Sequence, residues 1–398
     1  MTGSQPALSA LNFFMADVRD GLGPFLGVYL QSEKWSPSKI GLVMTIGALV
    51  GMAATAPLGA LVDRIKAKRA MVVVSAIITV LASMVILFAP GFVNTVVAQG
   101  INGVAGAAIA PAIAGITLGL VGQKGYAHQV GHNEAFNHAG NVTAAVLAGG
   151  FGYFFGIGAV FVVMAAMALA SLAATWFIGP NKIDHRVARG LPDTKDDGHA
   201  SGWSTLATSK PLLVLAATLL LFHLGNAAML PLLGQALAAR GGDPSAYTSA
   251  TIVVAQLTMV PMAIGAARLA ETRGYWIVFL LALLALPVRG AIAALVTGPL
   301  GLGPVQVLDG VGAGLLGVAV PGLVVRILSG TGHVNAGLGA VMTMQGVGAA
   351  LSPALGGYVA ERLGYPASFL VLGSVALVAL LLWVVTRPMT AEFSGKPR

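Results

Sequence analysis

Two short stretches place ionisable side chains inside runs that are otherwise apolar. The first is Ala16-Asp17-Val18-Arg19-Asp20-Gly21, shortly before Pro24. On a helix turning ~100° per residue, Asp17 and Asp20 fall about 60° apart, while Arg19 points about 160° away from Asp17. Two carboxylates on one face repel when both are ionised, so one of them is suited to carry a proton. Arg19 would then hold the other ionised or meet an anionic solute. The second stretch carries Glu134, Asn137, His138 and Asn141. Relative to Glu134 these sit at about 0°, −60°, +40° and −20°, a single polar stripe. His138 switches charge near neutral pH, and a desolvated Glu134 can hold a proton. Asp17, Asp20 and Glu134 are therefore the expected proton-coupling residues, and Arg19, Asn137, His138 and Asn141 the expected solute contacts. The competing structural roles are an interhelical salt-bridge pin for the first group and a gate salt bridge for Glu134. His132 and His138 lie six residues apart on different faces, which does not suit a metal site, so no metal or cofactor is expected.

The second half of the chain is less polar. His223 and Asn226, at i and i+3, share a helix face and are expected to contact solute, as are Gln256 and Gln345. Asp309 could titrate; the bland alternative for all of these is an interhelical hydrogen bond. Arg289, towards the outer end of its apolar run, is expected to snorkel to the surface.

The elements that must position these groups follow from composition. The 398 residues are 57% hydrophobic and 9% charged, with a mean hydropathy of +0.86 and 53 glycines. Soluble domains carry ~25% charged residues. So little charge cannot cover a soluble protein of this length, which excludes an ordinary soluble enzyme, a disordered chain and a nucleic-acid reader. The absence of cysteine excludes a disulfide scaffold and a thiolate metal site. A bilayer core needs about 20 apolar residues per helix. Twelve such runs are readable, at 8–31, 38–62, 70–89, 94–121, 133–156, 158–179, 211–238, 246–269, 275–297, 301–328, 333–360 and 366–386. The fold class expected is an all-α integral membrane protein with 12 transmembrane helices in two six-helix bundles. The bundles are residues 1–180 and 211–398, joined by a polar cytoplasmic linker at 181–210.

Residues 1–10 carry no Lys or Arg, so a cleaved leader is not expected. Of the 22 Lys and Arg, sixteen fall on the side holding the linker and termini and four on the other. That bias sets both termini in the cytoplasm. The net charge of +8 is then an orientation signal and implies no acidic partner. Gly- and Ala-rich usage suggests a bacterial inner membrane.

The two halves repeat at an offset of 207 residues: Pro24 with Pro231, Gly27 with Gly234, Pro37 with Pro244, Gln99 with Gln306, Gly103 with Gly310, and Gly149-Gly150 with Gly356-Gly357. Such repeats place a pathway near the midplane, worked by rocking of the halves.

The loop Gly59-Ala-Leu-Val-Asp63-Arg64-Ile-Lys66-Ala-Lys68-Arg69 resembles the G-x-x-x-D-R-x-G-x-[RK]-[RK] signature of the major facilitator superfamily, with Lys66 where Gly is usual. Gln99 and Gly103 are similar to a second signature whose leading residue is normally Arg. Gly348 to Gly357, with Ser352-Pro353, resembles an antiporter signature usually found on span five, here on span eleven. The resemblance covers essentially the whole chain. It implies the six-plus-six fold, a drug- or metabolite-proton antiporter type, and a conformational gate at Asp63 and Arg64 that latches the cytoplasmic helix ends in the outward-open state.

Together these readings give a secondary active transporter, expected as a monomer, whose partners are a small-molecule substrate, protons and the bilayer. Export by proton antiport is the leading direction. Uptake of a small organic anion or a metal-chelate compound, with Arg19 and the histidines as counter-charge, is the alternative. An intramembrane enzyme is disfavoured, since no serine accompanies Glu134 and His138; a sensor is disfavoured by the lack of an added soluble domain.

Overall fold

The computed structural model describes residues 4–19, 22–189, 208–296, 298–329 and 334–394. Asp20 and most of the stretch expected to link the halves lie outside these residues, as does the side chain of Asp63. The described residues form helices joined by short turns, without strands. In chain order the helices are α1 (Ser4–Arg19), α2 (Pro24–Ser32), α3 (Pro37–Arg64), α4 (Lys68–Phe88), α5 (Phe92–Phe155) and α6 (Ala159–Trp176). They continue with α7 (Lys210–Asn226), α8 (Met229–Ala238), α9 (Pro244–Arg273), α10 (Tyr275–Leu295), α11 (Pro299–Ile327), α12 (Val334–Leu363), α13 (Tyr365–Val385) and α14 (Arg387–Ser394).

Among the described residues, ten stretches are long and apolar enough to cross a membrane. The remaining two expected spans are also helical. The first is divided between α1 and α2, and the fifth is the second limb of α5, which turns at Gly122, where φ is 70°. A side chain at that backbone angle would be strained, so glycine fits the turn. Proline opens α2, α3, α9 and α11, where its missing N–H costs no hydrogen bond.

The helices form two compact units. One comprises 1–34, 46–197 and 243–250; the other comprises 35–45, 198–242 and 251–398. Each unit thus includes the first turns of one helix whose remainder belongs to the other. In the first unit, α1 packs on α5 and α6, and α4 packs on α5. Tyr29 stacks edge-on against Phe161 at 4.8 Å and donates its hydroxyl to the Leu87 carbonyl at 3.0 Å. In the second, α7 packs on α12 and α13, and α10 on α11 and α13, with Phe279 against Trp383 at 4.5 Å.

Small residues make these contacts possible, and they do so at matching places. A Cβ on Gly140 would strike the Phe13 carbonyl oxygen, and one on Gly348 that of Leu220; Phe13 and Leu220 are 207 residues apart, and the two glycines 208. A Cβ on Gly103 would strike the Gly47 carbonyl, and one on Gly310 would lie 2.5 Å from that of Ala255. Close helix approach through small residues thus recurs within one residue of the sequence offset.

The first turns shared between units are capped. Asp243 accepts the Ala246 N–H at 2.7 Å, and Glu361 accepts the Ser38 N–H at 3.1 Å. Carboxylates are stabilising at helix N-termini. Asp243→Ala should lower stability by about 1 kcal/mol, measurable as a lower melting midpoint of the purified protein. After α6, Asp184 accepts the N–H groups of Val187 and Arg186 at 3.2 and 2.8 Å, and these hold its carboxyl below the ordinary carboxylate range.

Candidate functional site

Gly23, whose φ is 48°, breaks the helical path of the first span before Pro24 opens α2. In the second half the passage from α7 to α8 keeps helical dihedrals at Ala227 and Ala228, and the Ala227 N–H donates to the His223 carbonyl at 3.1 Å. There the Ala228 N–H is received by Ser352 Oγ at 2.9 Å. Each unit holds a polar cavity beside these spans.

In the first unit the cavity has a volume of 200 Å³ and is lined by Asn12, Arg19, Thr117, Tyr126, Asn133, Glu134 and Asn137, with apolar neighbours such as Met15 and Ile113. Asn133 is the organiser: its amide donates to Thr117 Oγ1 at 3.1 Å, and its carbonyl accepts from Gln129 at 3.0 Å. Asn141 donates to Asn137 Oδ1 at 3.3 Å, one turn along the stripe. The structure thus brings Arg19, Glu134 and Asn137 to one cavity, with Asn141 bonded to its edge. Asp17 and His138 are half-buried on α1 and α5, and Glu134 is exposed.

In the second unit the cavity is larger, 330 Å³. His223 and Asn226 come from α7, Arg289 from α10, Asp309 from α11 and Gln345 from α12. Phe222, Leu286, Leu308, Leu316, Val320 and Met342 supply apolar wall. Gln256 is half-buried on α9 and does not line it. The centre of the arrangement is an ion pair. Arg289 Nη1 donates to Asp309 Oδ1 at 2.6 Å and to Asn226 Oδ1 at 2.7 Å. The Arg289 side chain is 1% exposed and that of Asp309 17%. Arg289 Nε and Nη2 are buried and have no hydrogen-bond partner among the described residues.

The snorkelling expected of Arg289 is therefore overturned: it is among the largest fully buried side chains. Its charge is balanced inside the unit, which removes the need to reach the surface. A signal for this was present in the sequence. Arg289 lies nine residues before Gly298 and Asp309 eleven after it, so an antiparallel pair of spans brings opposite charges to similar depth. The matching place in the first unit is neutral. Asn102, which is 207 residues before Asp309, donates to Ser83 Oγ at 3.3 Å.

The basic residues of the signature segment after α3 close helix ends. Lys68 is buried, and its ammonium donates to the Val62 carbonyl and to that of Ile65 at 3.3 Å, closing the end of α3. Arg69 donates from Nε and Nη2 to the Thr175 and Trp176 carbonyls, both at 3.1 Å, closing the end of α6. Cations are favoured there by the exposed carbonyls and the helix dipole. Arg64 is exposed at the end of α3.

Apolar helices of spanning length and a polar cavity in each unit are the features of a polytopic helical membrane protein. The model of the Major Facilitator Superfamily matches residues 8–336 and 290–398. Uncharacterized MFS-type transporters of Mycobacterium tuberculosis, from strains CDC 1551 / Oshkosh and ATCC 25618 / H37Rv, are each 43% identical over 396 residues, covering 98% of this chain and 95% of theirs. The chain belongs to the Major Facilitator Superfamily, and it is a membrane transporter of that type. Solved structures share the fold. A mutant of the nucleoside transporter NupG superposes with a TM-score of 0.79 at 14% identity, over 96% of this chain and 99% of the other. A bacterial homologue of the human lysosomal transporter Spinster gives 0.76 at 12%, over 99% and 98%.

Proposed function

We propose that this transporter couples the movement of a small organic molecule to protons, and that Asp309 carries the proton with Arg289 as its partner. The observation that carries the reading is the exposure difference across one ion pair. The carboxylate opens to the cavity while the guanidinium is sealed behind it. An ionisable group inside a span is costly and is kept where it serves a pathway or a proton relay. Arginine stays charged throughout the physiological range, so the titrating member of this pair is Asp309. His223 is the other titratable residue lining the cavity; Gln345 and Asn226, facing from α12 and α7, are neutral. Glu134 and Arg19 in the first cavity, with Asp17 on α1, are secondary proton and solute contacts. The protein acts as a monomer in the inner membrane with both termini cytoplasmic, Asp63 and Arg64 serving as its conformational gate. Whether the proton moves against the solute, as in an exporter, or with it follows from what Arg289 holds when Asp309 is protonated.

The test uses Arg289→Met/Asp309→Leu, which removes both charges together. A solute selected by thermal stabilisation is offered to proteoliposomes loaded with a pH-sensitive dye. The wild type should move protons with solute, and the double variant should lose at least tenfold of that proton flux. Proton flux unchanged in the double variant, but lost in Glu134→Gln, would move the coupling site to the first unit.

A further inference from the structure

We infer that the cavity of the second unit is the seat of an organic monoanion with an apolar body, whose carboxylate takes the place of Asp309 on Arg289. This rests on the proton-coupling reading and names the substrate class that reading leaves open.

The inference follows from charge balance. Arg289 is buried and permanently cationic, so removing its one ionic partner among the described residues leaves an uncompensated charge, which buried sites do not tolerate. When Asp309 takes up a proton, a second anion is required. The guanidinium has five N–H donors in a planar fork, and both of its hydrogen bonds here leave from Nη1. Nε and Nη2 are buried without partners among the described residues, and an Arg fork binds a carboxylate through two parallel N–H···O bonds. Asp309 uses one carboxylate oxygen on one nitrogen, so an incoming carboxylate has donors still to gain.

The rest of the cavity selects the body of the ligand. Leu286, Leu308, Leu316, Val320, Phe222 and Met342 offer dispersion contact. A volume of 330 Å³ lies in the ~300–1,000 Å³ range of small-molecule sites. His223, Asn226 and Gln345 can receive one polar substituent. A dianion such as a phosphate monoester would exceed the single positive charge, and a cation would face Arg289.

The proton balance sets the direction. Asp309 carboxylate plus one proton gives a neutral carboxylic acid, and the substrate carboxylate replaces it as the counter-ion. Site charge is the same before and after, and proton and anion occupy the cavity together. That is cotransport, which a proton gradient directed inward drives as uptake. It favours the importer over the antiport exporter.

The full-length purified protein is titrated with 4-phenylbutyrate, its amide, phenyl phosphate and phenethylamine, reading the melting midpoint between pH 6 and 8. The acid is ionised throughout that range. Expected is stabilisation by the acid alone, with its apparent Kd falling about tenfold per unit of pH lowered, as linkage to one proton requires. His223→Gln should keep that slope, and Arg289→Met/Asp309→Leu should keep its fold yet lose the stabilisation. Equal stabilisation by the amide, or acid binding retained in the double variant, would overturn the substrate class. Acid binding without a pH slope would overturn both the inference and the coupling reading. A slope lost in His223→Gln would assign the proton to the histidine and overturn the exchange at Asp309. If no acid binds while another solute still moves protons through the wild type and not the double variant, the substrate class falls and the coupling stands.

Discussion

Asp309→Leu alone should destabilise the protein by about 3–5 kcal/mol, the cost of breaking a buried ion pair by removing one partner. Arg289 remains charged at any accessible pH and keeps only the Asn226 carbonyl as a partner for Nη1. Arg289→Met alone should cost less. The carboxylate it leaves is partly open to the cavity and can shed its charge by taking a proton, so the loss should shrink as pH falls. The double variant Arg289→Met/Asp309→Leu should recover most of the stability, because apolar side chains of similar volume replace the pair without leaving a charge behind. Melting of all three proteins, repeated at two pH values, checks the order. Equal stability of the two single variants and the double would show that the pair is not energetically buried. The same order separates a structural pin from a coupling pair. A pin is restored by the apolar double, and proton coupling is not.

Gly140→Ala should be among the most damaging single-methyl additions in the chain. The added Cβ would overlap the Phe13 carbonyl oxygen and lie 3.0 Å from Ala16 Cβ, and backbone cannot rotate away as a side-chain tip can. α1 must shift off α5, and overpacking of this kind costs about 1–3 kcal/mol, with backbone collisions at the upper end. Gly150 is the control on the same helix, since nothing lies within 4 Å of its Cβ position. There alanine should be neutral or stabilising by about 0.5–1 kcal/mol, through the backbone entropy that glycine loses on folding. Opposite signs in thermal stability at the two positions are the expected result. Gly348→Ala, against the Leu220 carbonyl, should reproduce the loss in the second unit. Equal effects at Gly140 and Gly150 would mean that α1 and α5 are not in backbone contact.

The fold was legible because a membrane enforces its own periodicity. Length of apolar run, the Lys and Arg bias and a fixed repeat offset are properties of one dimension, and they gave the helical class without reference to contacts. That Glu134 and Asn137 line one cavity was also legible, whereas their meeting with Arg19 on another helix was not. The stripe on α5 is a single helix face, so its members share surroundings wherever that face points. Gln256 shows the limit. Its polarity marked it, but the face of α9 that carries it is not a wall of the cavity.

Sequence alone thus determined that this is an all-helical membrane transporter fold with a few intramembrane charges, because burying backbone in lipid leaves little choice of structure. Which of those charges meet was decided by tertiary structure. Arg289 and Asp309 stand twenty residues apart on different helices, and only the packing of α10 against α11 and α7 brings guanidinium, carboxylate and Asn226 within 2.7 Å. An isolated arginine on an apolar run reads as a residue escaping to the surface. The same arginine with a carboxylate at hydrogen-bond distance is held inside, since ion pairing offsets the desolvation that would otherwise drive it out.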